Sequence, residues 1–503
     1  MTSRDGYQWT KDGGLTQGVP SIGVIQPPTH LESTSSDNFD VIVVGAGYAG
    51  LTAARDASVA DNQAQLLTVE GLKVLLLEGR DRIGGRSWSS NINGYPFEMG
   101  GTWVTWGQPH VWREISRYGM RNKVEISQEY SHGVNTFSLA SATGKRVMSH
   151  DEEDQIIESG LKKFVNIDGE YGRKAMPFPH DEFANPKCKE YDSLSAADRL
   201  KQIEHKLSPD EYTAVCGFVL LCSCGDLENT SFYEFLHWWA LCNYSYEYCV
   251  EYLMKYKFQT GQSSFAINFF QEALSTGNLS YVFNSRVSHI RDNGKVTVVT
   301  AEKTFGASRV ISAVPLNVLN DISFEPALPH GKRAAASIGH VNKCSKVHAE
   351  CTDRELRSWS GIDYPNNKLM YAFGDGTTPS GNTHIVAFGA SHNHLDPEKD
   401  IGKTIEAIQT LVPMNLERVV FHNWSNDEFA KGAWFFSPPK MVTNYLQDMR
   451  ASHGNVLFAS ADWAVGWRSF IDGAIEEGTR AASTVVQALR SNTAAASHGA
   501  ARL

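Results

Sequence analysis

The pattern Gly45-x-Gly47-x-x-Gly50, set between a β-branched run and a helix-forming one, constrains this chain more than any other feature. The run before it, Asp40-Val-Ile-Val-Val44, suits a strand buried on both faces, and Leu51-Thr-Ala-Ala-Arg-Asp56 after it suits a helix. In such a turn the first glycine permits the bend, the second lets backbone approach a pyrophosphate, and the third lets helix pack on strand. Phosphate then meets free N–H groups at the helix N-terminus. A second strand, Lys73-Val-Leu-Leu-Leu-Glu78, ends in an acid able to accept ribose hydroxyls, so the unit predicts a dinucleotide site. Glu78 lies 28 residues after Gly50, where about 20 are usual, and this places an insertion around residues 57–70.

A chain of 503 residues is too long for one core and suits two or three domains. Its 42% apolar and 11% aromatic content provides rings for an enclosed site. A net charge of −10 without a long basic run argues against a nucleic-acid partner. The eight cysteines have no zinc-like spacing, so no metal site is predicted and the thiols read as reduced and structural. The N-terminus lacks a secretory signal and no stretch approaches the roughly 20 apolar residues that span a bilayer, which predicts a soluble, intracellular protein without a membrane anchor. Ala501-Arg502-Leu503 has the small, basic, leucine pattern of a peroxisomal address, with the peroxisomal import receptor as the partner it implies and the cytoplasm as the alternative location.

Residues 1–38 are rich in Gly, Pro, Ser and Thr and are expected to form a flexible arm. Strand-like runs at 279–283, 296–299, 309–313 and 454–459 plausibly rejoin the nucleotide unit. Residues 150–265 look helix-rich, and Phe232-Tyr-Glu-Phe-Leu-His-Trp-Trp-Ala240 is an aromatic helix with Thr230 or Ser231 as its cap and a role as substrate-domain wall. The alternation in 346–350 and 384–388 suits an antiparallel sheet with one face turned to a cavity. The fold class is α/β: a Rossmann-like dinucleotide-binding domain (39–115, 270–335 and 415–490) interleaved with a mixed α+β substrate domain (116–269 and 336–414). A flexible tail is expected over 491–503.

After Glu78 comes Gly79-Arg80-Asp81-Arg82-Ile83-Gly84-Gly85-Arg86, in which Arg82 and Arg86 can meet phosphate or flavin oxygens, a solvated basic turn being the plain alternative. Together with Glu98-Met99-Gly100-Gly101-Thr102-Trp103, and with Gly466-Trp-Arg-Ser-Phe470-Ile-Asp-Gly473 near the end, this stretch resembles the flavin-containing amine oxidases, and the fungal monoamine oxidases within them most closely. The resemblance covers residues 39–485. It implies FAD among Gly45, Gly47, Ala49, Gly50, Glu78, Arg80, Gly85, Arg86, Gly101, Thr102, Trp103, Val287, Trp424, Asp462 and Ile471. It implies that Lys346 holds a water against the flavin, with Lys343 as the competing candidate, and that Trp434 and Phe470 form an aromatic cage. Ala433 stands where animal relatives tether FAD through cysteine, implying non-covalent FAD. The activity implied is oxidation of simple monoamines to imine and then aldehyde or ketone, with ammonia and hydrogen peroxide as products and dioxygen as co-substrate. Polyamine oxidase, L-amino-acid oxidase and a non-catalytic FAD protein are the alternatives, and a homo-oligomer is left open.

Overall fold

The computed structural model describes residues 1–31, 38–59 and 71–500. Among these, two nine-stranded sheets divide the molecule. The first is built on Asn38–Val44, whose Val41, Ile42 and Val43 are wholly buried, as a run apolar on both faces requires. It pairs in parallel with Val74–Leu77 on one side and Thr304–Ser312 on the other. Leu279–Val282 extends the sheet past Val74–Leu77, and Val456–Phe458 joins Thr304–Ser312. Two helices cover one face: Tyr48–Val59 leaves the glycine turn, and the long Ile471–Ala500 packs against it. These five parallel strands with their helix pair form the core of a dinucleotide-binding domain, and Val296–Thr300 and Thr29–His30 pair antiparallel with their neighbours in the same sheet.

The second sheet is mixed and centres on Ser345–Cys351, antiparallel to both Thr383–Gly389 and Leu416–Phe421. A helical layer packs beside it, including Pro209–Ser223 and Phe232–Leu241. The cap of the latter helix is Ser231, whose Oγ accepts from the Glu234 N–H.

Four expectations change. Residues 2–20 are not a flexible arm: Thr2–Thr10 and Gly14–Pro20 form a hairpin that adds to the second sheet by pairing with Leu416–Phe421. The composition misleads because its glycines serve the turn, Gly14 at φ +67°, while Tyr7 stacks on Phe421 at 5.3 Å. The strand Leu416–Phe421, placed by sequence in the nucleotide domain, belongs to the substrate sheet. Conversely, the helix Gln262–Ser275, most of which falls before the expected boundary at 270, packs through Phe265 and Phe269 on Tyr48. Ser345–Cys351 and Thr383–Gly389 keep the expected arrangement: they pair antiparallel, Lys346 and Phe388 face the cavity, and the opposite face packs on Ala407, Ile408 and Leu411. The stretch from 491 to 500, expected as tail, continues the helix Ile471–Ala500. The insertion beyond Val59 and the Ala501-Arg502-Leu503 tripeptide lie outside the described residues. All eight cysteines are buried free thiols, and no helix among the described residues is long and apolar enough to cross a membrane.

Candidate active site

One cavity runs from the glycine turn to the aromatic residues of the substrate domain. At its first end lie Gly45, Gly47 and Ala49. Gly45 has φ +103°, which only glycine adopts readily, and a Cβ on Gly50 would sit 1.8 Å from the Gly45 carbonyl oxygen. Gly50 therefore faces the strand and not the cavity. The N-terminal turn of Tyr48–Val59 is aimed at the cavity, so its free N–H groups and positive dipole end meet whatever anion enters.

Glu78 also lines this end; its carboxylate accepts from the Ala46 N–H at 2.6 Å and the Arg80 N–H at 2.8 Å. Gly85 lines the cavity at φ +57°, and a Cβ there would come within 2.9 Å of Gly47 Cα. Two glycine turns thus abut where any side chain would fill the space. Arg80 and Arg86 line the cavity, Arg80 paired with Asp5 and Asp427 and Arg86 with Asp462. Asp462 lies behind the wall, accepting from Arg86 at 2.6 Å and from the Leu316 N–H at 2.8 Å. Arg82 departs from expectation. It is wholly buried away from the cavity, salt-bridged to Asp5 and laid over the Trp88 ring at 4.1 Å.

Gly101, Thr102, Trp103, Val287, Trp424, Ala433 and Ile471 also line the cavity. Trp424 is fixed by its Nε1–H on the Met99 carbonyl at 2.7 Å. Ile471 opens the helix Ile471–Ala500, so a second helix N-terminus faces the same space. The cradle fits an elongated dinucleotide, with pyrophosphate at one helix end and a ring at the other.

At the far end lie Lys346, Trp434 and Phe470. Burial pulls the Lys346 ammonium below its ordinary value, while Asp375 and Glu98 pull it back. Its Nζ donates to the Glu98 carbonyl at 2.8 Å, the Gly100 carbonyl at 2.9 Å and Thr102 Oγ1 at 2.5 Å. Three acceptors use all three ammonium protons, so Lys346 takes up a water only by exchanging one of these bonds. Lys343 instead reaches the Lys431 carbonyl at 3.1 Å and does not line the cavity. Trp434 donates to the Cys222 carbonyl at 2.8 Å, and Phe470 packs on Trp238 at 4.6 Å and Trp467 at 5.1 Å. Phe218, Leu221, Cys222, Leu253, Met254 and Phe388 complete the wall. Trp238, on the aromatic helix, and Phe388, in the alternating run 384–388, lay in segments that stood out in sequence; Phe218, Leu221 and Cys222 on the helix Pro209–Ser223, and Leu253 and Met254 at the end of Tyr246–Leu253, are ordinary apolar residues.

A parallel-sheet cradle leading into an aromatic pocket defines a dinucleotide-dependent oxidoreductase. The chain belongs to the flavin containing amine oxidoreductase family, which matches residues 48–486. It is 30% identical to a pseudooxynicotine dehydrogenase from a Pseudomonas species over 473 residues, 91% of this chain and 88% of that one. It is 27% identical to the putrescine oxidase of Kocuria rosea, covering 91% and 97% of the two chains. Among solved structures, the cyclohexylamine oxidase of Brevibacterium oxydans superposes with a TM-score of 0.73 at 18% identity, over 90% of this chain and 99% of that one. A putrescine oxidase variant superposes at 0.72 and 20%, over the same shares. The protein is thus an FAD-dependent amine-oxidising enzyme.

The arginine pair gives a first prediction. Burial alone would raise Asp5, but Arg82 and Arg80 hold it below its ordinary 3.8; Asp427 is likewise held down, burial being outweighed by Arg80 and His422. Carboxylates depressed in the fold contribute stability that is full above the unfolded value and is lost as pH falls through the folded one. Free flavin fluorescence is therefore expected to rise, and the thermal midpoint to fall, as pH drops below about 4. A midpoint flat between pH 5 and 3 contradicts this.

Proposed function

We propose that the protein is a monoamine oxidase: it takes a hydride equivalent from the α-carbon of simple apolar amines and passes the electrons to dioxygen, giving hydrogen peroxide. When bound, FAD supplies the two-electron acceptor for that step. The supporting observation is the charge pattern of the cavity. Its substrate end is walled by Phe218, Leu221, Trp238, Leu253, Met254 and Phe388, with Trp434 and Phe470, and the charged side chain among them is the cation Lys346. The lining carboxylates Asp321 and Glu428 are paired with Lys431 and Arg286, and Glu78 is held by backbone N–H groups. No lining carboxylate among the described residues is left to receive the second ammonium of a diamine. The arginines Arg80, Arg86 and Arg286 are each paired as well, so an amino-acid carboxylate finds no free partner.

Trp434 and Phe470 act as the cage that orients the amine, and the surrounding apolar wall excludes water and favours the unprotonated substrate. Ala433 offers no nucleophile at the cavity wall, which supports FAD held without a covalent bond.

The test is a panel of hexylamine, cyclohexylamine, nicotine, putrescine and leucine, scored by anaerobic flavin bleaching and by peroxide formed in air. The monoamines are expected to lead in kcat/KM with one peroxide per turnover. Putrescine or leucine leading overturns the substrate reading, and bleaching without peroxide overturns the oxidase reading. Trp434→Ala is expected to reorder the panel by about tenfold or more in kcat/KM with unchanged FAD content. A parallel fall for every amine would remove Trp434 from substrate selection.

A further inference from the structure

The hairpin Thr2–Thr10 and Gly14–Pro20 has no part in the substrate pocket, yet it reaches the nucleotide loop. Its first strand loses regular register between Ser3 and Tyr7, where Gly6 takes φ +80°. Such an irregularity turns side chains out of the plane of a sheet. Here it delivers Asp5 between two arginines of the loop 79–85. Asp5 Oδ2 accepts from Arg80 Nη1 at 2.8 Å and from Arg82 Nε at 3.0 Å. On either side of the same loop, Ser3 Oγ donates to Asp81 at 2.8 Å and the Arg4 guanidinium donates to the Gly79 carbonyl at 2.8 Å.

We propose that Asp5 is a positioning residue for the cofactor: through Arg80 and Arg82 it holds the loop 79–85 in the shape that retains FAD. The inference rests on FAD being the bound dinucleotide. Arg80 lines the cavity directly. Arg82 acts one step back, donating through Nη1 to the Gly85 carbonyl at 2.9 Å, and Gly85 is the residue that abuts Gly47 of the pyrophosphate turn. Asp427 provides a second carboxylate for Arg80, whereas the ion-pair partner of Arg82 is Asp5. Without Asp5, Arg82 becomes a buried cation beside another cation, and the loop must open to hydrate it. The other end of the hairpin strand is anchored in the substrate sheet, Tyr7 opposite Phe421. The hairpin therefore links the substrate sheet to the nucleotide loop, and its grip on that loop is coupled to cofactor binding.

Full-length wild type, D5N, D5N/R82M and the hairpin-tip control T10V are purified, stripped of flavin and titrated with FAD by flavin fluorescence. The thermal midpoint of each apoprotein is measured in parallel. D5N is expected to bind FAD at least tenfold more weakly. D5N/R82M, free of the stranded cation, is expected to regain apoprotein stability but not affinity, because the tether to Gly85 is gone. T10V, which removes only the Thr10 side-chain bond to the Gly13 N–H, is expected to match wild type. FAD affinity within twofold of wild type in D5N/R82M overturns the proposal, as does a D5N defect confined to apoprotein stability. Coupling is reciprocal, so FAD must also slow amide exchange over residues 2–10 of the unmutated protein. Equal exchange with and without FAD overturns the proposal even where the variants do not fold. Wild type that takes up no FAD would instead refute the cofactor assignment.

Discussion

Gly50→Ala protein is expected to purify nearly colourless, with less than a tenth of the flavin that the wild type carries. The new Cβ would sit 1.8 Å from the Gly45 carbonyl oxygen, 3.0 Å from its carbon and 3.3 Å from Ala313 Cβ. None of these neighbours is a flexible side-chain end. The carbonyl belongs to the turn itself, and Ala313 lies just past Thr304–Ser312, which pairs with the strand leading into that turn. The helix Tyr48–Val59 must move off the sheet, carrying with it the N–H groups that face the pyrophosphate. Overpacking in a core costs about 1–3 kcal/mol and more where backbone must yield; 3 kcal/mol is on the order of a hundredfold in affinity. Gly402→Ala is the matched control. Gly402 is a helical glycine whose added Cβ meets Asp400 Oδ1 at 3.3 Å and which lines no part of the cavity. It is expected to keep its FAD. A yellow Gly50→Ala protein with wild-type stoichiometry would show that the turn tolerates expansion and that the cradle is held from elsewhere.

The contrast between these two glycines marks what could be read from the sequence. The cradle was legible because its constraints are local: a strand, a bend and a helix within residues 40–56, each demanding a residue type. The strands Val74–Leu77, Val296–Thr300 and Val456–Phe458 were visible for the same reason, being short runs whose branched side chains suit a buried sheet. Arg82 was misread because its partner lies 77 positions away in a segment whose composition suggested disorder. A guanidinium in a glycine-rich loop looks like a phosphate ligand until the carboxylate that neutralises it is placed. Leu253 and Met254 carried no signal, since a cavity wall is chosen by packing and not by pattern. The complete burial of Ser345–Cys351 was hidden because Lys346, His348 and Glu350 are polar residues satisfied internally, as when His348 Nε2 meets the Glu98 carbonyl at 2.8 Å. Lys346 itself was named only through family resemblance; the sequence could not show that Thr102 and two carbonyls would enclose its ammonium.

Arg468→Met is expected to destabilise the protein by about 3–5 kcal/mol, the usual cost of breaking a buried ion pair from one side. Arg468 is fully buried and bridges two buried carboxylates: Nε and Nη2 hold Glu234 at 3.0 and 2.8 Å, and Nη1 and Nη2 hold Glu182 at 2.5 and 3.1 Å. His237 lies beside the cluster and is neutral at ordinary pH while Arg468 is in place, because burial and the neighbouring guanidinium pull its imidazole down to about 3. The cluster also shapes the amine pocket. Glu234 belongs to the helix that carries Trp238, while Arg468 precedes Ser469, at φ +85°, and then Phe470, whose ring meets Trp238 at 4.6 Å. One guanidinium thus fixes two walls of the pocket against each other. Restoring charge balance separates the two effects: the triple variant E182Q/E234Q/R468M should recover most of the stability, since the stranded carboxylates are gone. Its amine ranking should remain altered, since the link between the walls is still missing. Chemical denaturation of the FAD-free proteins measures the first effect and the amine panel the second. A single-variant loss below about 1 kcal/mol, in the range of an exposed pair, would mean that water reaches the carboxylates and that Arg468 does not anchor the pocket.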